Sequence, residues 1–109
     1  FIDAAAVKNI KPLFNEDPTM FDDILAWQTG EVYLEMAYNA YYTNYEISLM
    51  NTWFMAKTAY PDHFSDIDIT LKTNEITQAF YGMDLASEIF SISQNFGGYQ
   101  KINTETFFK

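Results

Sequence analysis

Apolar residues along this chain recur mostly at intervals of three and four, the period that lays side chains on one face of a helix, and alternate strictly over one short stretch only. Near the start, Asp3 can cap a helix from Ala4 to Lys11. Pro12 ends it, because proline cannot donate to the helical ladder and biases Lys11 away from the helical region. A second start signal follows at once, with Asp17 as N-cap and Pro18 at the first helical position. Asp22 and Asp23 come close behind, where the helix dipole favours negative charge. That helix turns Met20 or Phe21, Ile24 and Trp27 inward and stops at Gly30.

Residues 31 to 59 satisfy two periods. Read as a helix, Leu34, Tyr38, Tyr41, Tyr42, Tyr45 and Leu49 form one stripe, flanked by Val32, Met36, Ala40, Ile47, Met50 and Phe54. Glu31, Glu35, Asn39, Thr43 and Glu46 take the remaining face. Read as strands, Val32, Leu34 and Met36 alternate with Tyr33, Glu35 and Ala37, and tyrosine-rich sequence favours a strand on propensity. Three faces keeping a helical period over about seven turns, with no turn signal between them, favour the helix, which Tyr60-Pro61 ends. Asp66 to Thr73 is the clearest strand, with Ile67, Ile69 and Leu71 on one face and Asp66, Asp68, Thr70 and Lys72 on the other. Thr73 or Asn74 then caps a helix from about Glu75 to Gln94. Gly82 weakens its middle by about 1 kcal/mol relative to alanine, and Asp84 offers a restart. Asn95 and Gly97-Gly98 close it, and Tyr99 to Phe108 reads as a last strand. With no repeat, linker or low-complexity segment, residues 1–109 read as a single compact domain of α+β class. It is predominantly helical, four or so helices packed with a small two-stranded sheet whose strands lie near 66–73 and 99–108.

Composition narrows the chemistry. Among 109 residues there are fifteen acids, six lysines, no arginine and no cysteine, for a net charge of −9. Nucleic-acid binding relies on clustered Lys and Arg to neutralise phosphates, so this balance argues against it, and against an anionic membrane surface in the same way. No run of 18 apolar residues exists to insert in a bilayer. Absent cysteine removes disulfides, thiol nucleophiles and thiolate metal sites, and the sequence asks for no cofactor. A first residue other than methionine is the expectation for a processed or excised chain, and leans the location toward the extracytoplasmic side after removal of a leader.

Between Lys11 and Lys57 lie 45 residues with seven acids and no base. Local lysines cannot neutralise such a stretch, so its field reaches outward over about 8 Å at physiological salt. Either the acids serve as caps and solvated faces, or they steer a basic partner. Tyrosine packs through its ring while its hydroxyl stays wet, a property suited to interfaces. The stripe of tyrosines is therefore either a seam against Phe80, Phe90 and Phe96 or a contact face. The candidate partner-binding residues are Glu31, Glu35, Tyr38, Tyr41, Tyr42, Tyr45 and Glu46, together an acidic, tyrosine-rich helical face docking on a basic protein. Small acidic inhibitors and immunity proteins share this charge bias, without a shared motif here.

The single histidine, His63, lies beside Asp62, Asp66 and Asp68, which makes those carboxylates the weak candidates for a metal and His63 a candidate general base. One imidazole and no thiol are few for a transition metal. A calcium loop counted from Asp66 puts Leu71 where glycine is needed and Thr77 where a bidentate glutamate belongs. No nucleophile triad or phosphate loop is present, so the expected role is not catalytic. The expected function is a small protein-binding module of inhibitor or immunity type. Alternatives are a structural or accessory subunit, homo-oligomeric or seated on a neighbouring subunit, and a small-ligand-binding or sensor domain.

Overall fold

The structure, a computed structural model, describes residues 1–39 and 42–109. Its class is the α+β, mainly helical one that the sequence indicates. Five helices, α1 (Val7–Glu16), α2 (Leu25–Gln28), α3 (Tyr45–Ala59), α4 (Ile69–Tyr81) and α5 (Ala86–Ser91), accompany a small sheet of β1 (Ile2–Asp3), β2 (Tyr33–Glu35) and β3 (Gln100–Lys101). β2 is central, parallel to β1 and antiparallel to β3, with Leu34 opposite Ile2 on one side and Gln100 on the other. Leu34 is fully buried in a core shared with Val7, Phe14, Val32, Ile102 and Phe108. Around it Phe14, Phe21, Trp27 and Phe108 form an aromatic cluster with ring centroids 4.9 to 6.3 Å apart. Side chains alternate along a strand, so Tyr33 leaves the opposite face of β2 and meets Phe54 of α3 at 6.3 Å.

Asp3 caps as expected, accepting from the Ala5 N–H at 2.7 Å, but the residues it caps, Ala4–Ala6, are a 3-10 turn that runs on into α1. α1 continues through Pro12 to Glu16. Val7 and Phe14 bury its inner face, while Pro12 and Lys8, the residue whose carbonyl Pro12 cannot bond, are both exposed. The helix expected over 17–30 is reduced to the four residues of α2. Asp17 accepts instead from the Thr19 hydroxyl and N–H, holding a run of turns over 18–23, and Ile24 and Met20 point outward.

The long helix expected over 31–59 is not formed: its first part is β2, and among its described residues only Tyr45 onward is helical. Asn44 supplies the break. Its amide donates to the carbonyls of Tyr38 and Tyr42 at 3.1 and 3.2 Å, and its N–H to the Tyr38 carbonyl at 2.7 Å, backbone bonds that compete with a helix. Pairing with β1 and β3, remote in sequence, then decides Tyr33–Glu35 for strand. The end at Tyr60-Pro61 stands as expected. The strand expected near 66–73 is instead the start of α4, because Asp68 accepts from the Leu71 N–H at 2.9 Å as its N-cap. Ile69, Thr73 and Ile76 keep helical spacing just as well as Ile67, Ile69 and Leu71 keep strand spacing, and Leu71 is exposed. The sheet accordingly has three strands and none from 66–73, and of the expected strand over 99–108 only Gln100–Lys101 pairs.

The helix expected over 75–94 is cut at Gly82, which ends α4 in the left-handed conformation at φ +72°. The Leu85 N–H then donates to the Thr77 hydroxyl at 3.1 Å and the Ala86 N–H to the Asn74 side-chain oxygen at 2.9 Å. α5 therefore starts with two of its orphan N–H groups satisfied by side chains of α4 rather than by a cap of its own. Opposite, Asn51 of α3 is buried and bonds both the N–H and the carbonyl of Met36, at 3.3 and 2.8 Å, fastening the end of β2 to α3.

Candidate functional site

The seven residues expected to form one acidic, tyrosine-rich helix face are divided. Glu31, just before β2, is ion-paired with Lys101 at 2.5 Å and accepts from the Tyr33 hydroxyl at 2.6 Å. Those two hydrogen bonds, Lys101 first, hold its carboxyl below the usual carboxylate range. A lysine seventy positions away thus neutralises an acid that has no base near it in sequence. Glu35 lies on β2 and is half-buried, and its Oε2 has no hydrogen-bond partner. Burial, and then the charge of Asp3, push its carboxyl above the usual range. Neither Glu31 nor Glu35 shares a helix with the tyrosines.

Tyr38, Tyr42, Tyr45 and Glu46 do remain together: Asn44 bonds the Tyr38 and Tyr42 carbonyls, and Tyr45 and Glu46 begin α3. Tyr41 lies outside the described residues. Tyr42 is 84% exposed, Tyr45 74% and Tyr38 38%. Among the described residues they form no seam against Phe80, Phe90 or Phe96: Phe80 lies by Tyr81 at 6.3 Å, Phe90 packs on Tyr99 at 5.8 Å and Phe96 on Phe107 at 5.7 Å. Glu46 accepts from the Tyr81 hydroxyl at 2.5 Å, which joins the start of α3 to the end of α4 and raises the phenol's pKa. Around that junction Leu49, Phe80, Tyr81 and Met83 are exposed as well. A surface of rings and aliphatic side chains results, carrying the Glu46 carboxylate.

Beneath the same junction lies a groove of about 680 Å³, which the hydrophobic periodicities do not reveal. Its walls come from the 3-10 turn and α1 (Ala4, Ala5, Lys8), from α3 (Glu46, Ile47), and from α5 with its flanking residues (Leu85, Ile89, Ile92, Phe96). The break at Gly82 is the one sequence signal that could have suggested it, since only a bent helix turns α5 back toward α1. Phe96, at φ +51°, also lines it, and Gly97 and Gly98 follow in the chain at positive φ. A smaller cavity of about 220 Å³ lies between Phe21, Ile24, Trp27 and Val32.

The acidic loop yields less. Asp66 and Asp68 do not share a strand face, the Asp68 carboxylate is engaged by the Leu71 N–H, and His63 is exposed beside the Tyr60 ring at 6.2 Å. Asp62 is exposed too, and among the described residues no three carboxylate or imidazole groups converge on a metal position. No described helix is long and apolar enough to cross a membrane. No protein-family model matches the chain, and no curated protein matches it.

Proposed function

We propose that this chain is a non-catalytic docking module for a basic protein partner, contacted through the surface of Tyr38, Tyr42, Tyr45 and Leu49. One observation carries the reading. The molecule exposes 7074 Å², against roughly 6,200 Å² expected of a 12.7 kDa monomer. The excess, about 800 Å², is comparable to one partner's share of a standard interface but is spread over several elements. The most exposed rings in it are Tyr42 and Tyr45, close in sequence at the start of α3. At 84% and 74% exposed, these two tyrosines are rigid amphipathic side chains of a type enriched among residues that dominate binding energy. The basic character of the partner follows from charge. Among the described residues only two ion pairs form, Lys72 with Glu75 and Lys101 with Glu31, so thirteen of the fifteen acids lack a lysine. Such a field speeds association with a cationic surface and repels an anionic one.

The test is capture from native extract on the immobilised chain, with the Tyr42→Ala/Tyr45→Ala double variant alongside, at low salt and at about 1 M, where the Debye length falls to about 3 Å. The expected result is a basic protein, retained at low salt, weakened by salt and lost with the double variant. A captured protein that ignores both salt and the tyrosines overturns the reading. A second reading, a permanent structural subunit, draws on the same excess area and on α3, whose outer side leaves Leu49 and Met55 uncovered. Light scattering after size exclusion separates the two: a subunit of a homo-oligomer runs above 12.7 kDa, while a docking module alone runs at it.

A further inference from the structure

We propose that the groove between α1, α3 and α5 is a binding site for one fatty acid, its alkyl chain along Ile47, Leu85, Ile89 and Ile92 and its carboxylate on Lys8. The groove's volume of about 680 Å³ falls within the range of small-molecule sites, and its lining surface is mainly apolar. Several of its polar groups are already engaged within the chain. The Asn44 amide donates to the Tyr38 and Tyr42 carbonyls, the Asn95 amide to the Ile89 carbonyl, Glu46 accepts from Tyr81, and Gln94 accepts from Ser93. A sugar or nucleobase entering here would replace only part of the hydrogen bonds it makes to water, at a net cost. An unfunctionalised chain loses nothing.

Lys8 fixes the head group. Four lysines are committed elsewhere: Lys11 to the Lys109 carbonyl, Lys57 to the Ile67 carbonyl, Lys72 to Glu75 and Lys101 to Glu31. Lys8 is exposed, lines the groove and, among the described residues, bonds nothing. Glu46, also in the lining, repels an anion from its own position, so the two charges orient the chain with its head at Lys8. The net charge of −9 opposes an approaching anion, but that field is screened beyond about 8 Å at physiological salt, and affinity here comes from buried methylenes.

Calorimetric titration with octanoate, decanoate and dodecanoate, each below its micellar concentration, tests the site. The expected result is one molecule per chain, with affinity rising about fourfold per added methylene until the groove is full. Lys8→Met, which keeps the aliphatic stem, weakens decanoate about fivefold and leaves decanol unchanged. Ala5→Trp, placed at an exposed position on the groove wall, abolishes both, and far-ultraviolet circular dichroism verifies that this variant is folded. No saturable binding, or decanoate binding indifferent to Ala5→Trp, overturns the site; equal loss of decanoate and decanol on Lys8→Met, or none, overturns the ligand class. The Tyr42→Ala/Tyr45→Ala variant retains decanoate, because neither tyrosine lines the groove, so this site and the docking surface stand or fall separately.

Discussion

In β2, Glu35 stands opposite Asp3 of β1, and like charges facing one another on adjacent strands repel. The Asp3 carboxylate has a use, since it accepts from the Ala5 N–H; the buried Oε2 of Glu35 has none. A folded-state pKa raised above the unfolded value of 4.5 means that the native state binds more protons than the unfolded one between those two values. Stability therefore falls as pH rises from 4.5 through the folded pKa, and at pH 7 the ionised group is a net cost. Glu35→Gln is expected to raise stability at pH 7 by about 1 kcal/mol, roughly 5 °C in Tm, with the gain shrinking toward pH 4. Thermal unfolding at the two pH values checks it, and a gain independent of pH would show that charge is not the cause. This residue also marks what was legible at this scale. Asp3 is readable as a cap because its partner lies two residues away. The environment of Glu35 is made by a strand thirty residues upstream, which no local pattern contains.

Elements were legible where a local chemical signal set them and illegible where pairing did. Proline after Tyr60 and the carboxylate at position 3 act within a few residues, and both did what their chemistry requires. Asp68 acts just as locally, but the seven alternating residues around it mask its capping signal in the sequence. Alternation over so short a run fits a helix start equally well when the outward residues are exposed, as Leu71 is. The tyrosine-bearing segment failed differently: its periodicity was sound from Tyr45 onward, and Asn44 ended it by bonding backbone carbonyls that a helix would have used. Exposed tyrosines near the start of α3 were thus foreseeable, whereas their separation from Glu31 and Glu35 was not. α5 gives the sharpest test of element-scale logic, because its start is capped from another helix. Thr77→Val keeps the volume but takes from the half-buried Leu85 N–H the fully buried hydroxyl it donates to. Urea unfolding is expected to show a loss of about 1–2 kcal/mol, with amide exchange at Leu85 and Ala86 accelerated more than in α1. A change below about 0.3 kcal/mol would mean that α5 does not depend on α4 for its start.

The whole molecule is flat, 45 × 34 × 20 Å, and a slab of 109 residues cannot cover an apolar fraction of 49%. Flatness explains why exposed aliphatic and aromatic side chains occur on several elements rather than in one place, and why a count of apolar residues did not reveal the groove. Charge behaves differently at this scale, because it was fully readable from composition: no fold brings six lysines to fifteen acids. The remaining carboxylates repel one another across a thin body, and this self-repulsion opposes the compact state. Salt should therefore act with opposite signs on the two equilibria of this protein. For the chain alone, raising sodium chloride from about 20 mM to about 0.5 M shrinks the Debye length and is expected to raise Tm by a few degrees, since exposed ion pairs such as Lys72 with Glu75 contribute little that salt could remove. For association with a basic partner the same change slows binding, because the carboxylates that repel each other are those that attract the partner. Differential scanning calorimetry and stopped-flow association in matched buffers measure both. A Tm that falls with salt would mean that the two visible ion pairs outweigh thirteen unpaired acids, and the electrostatic basis for a cationic partner would fall with it.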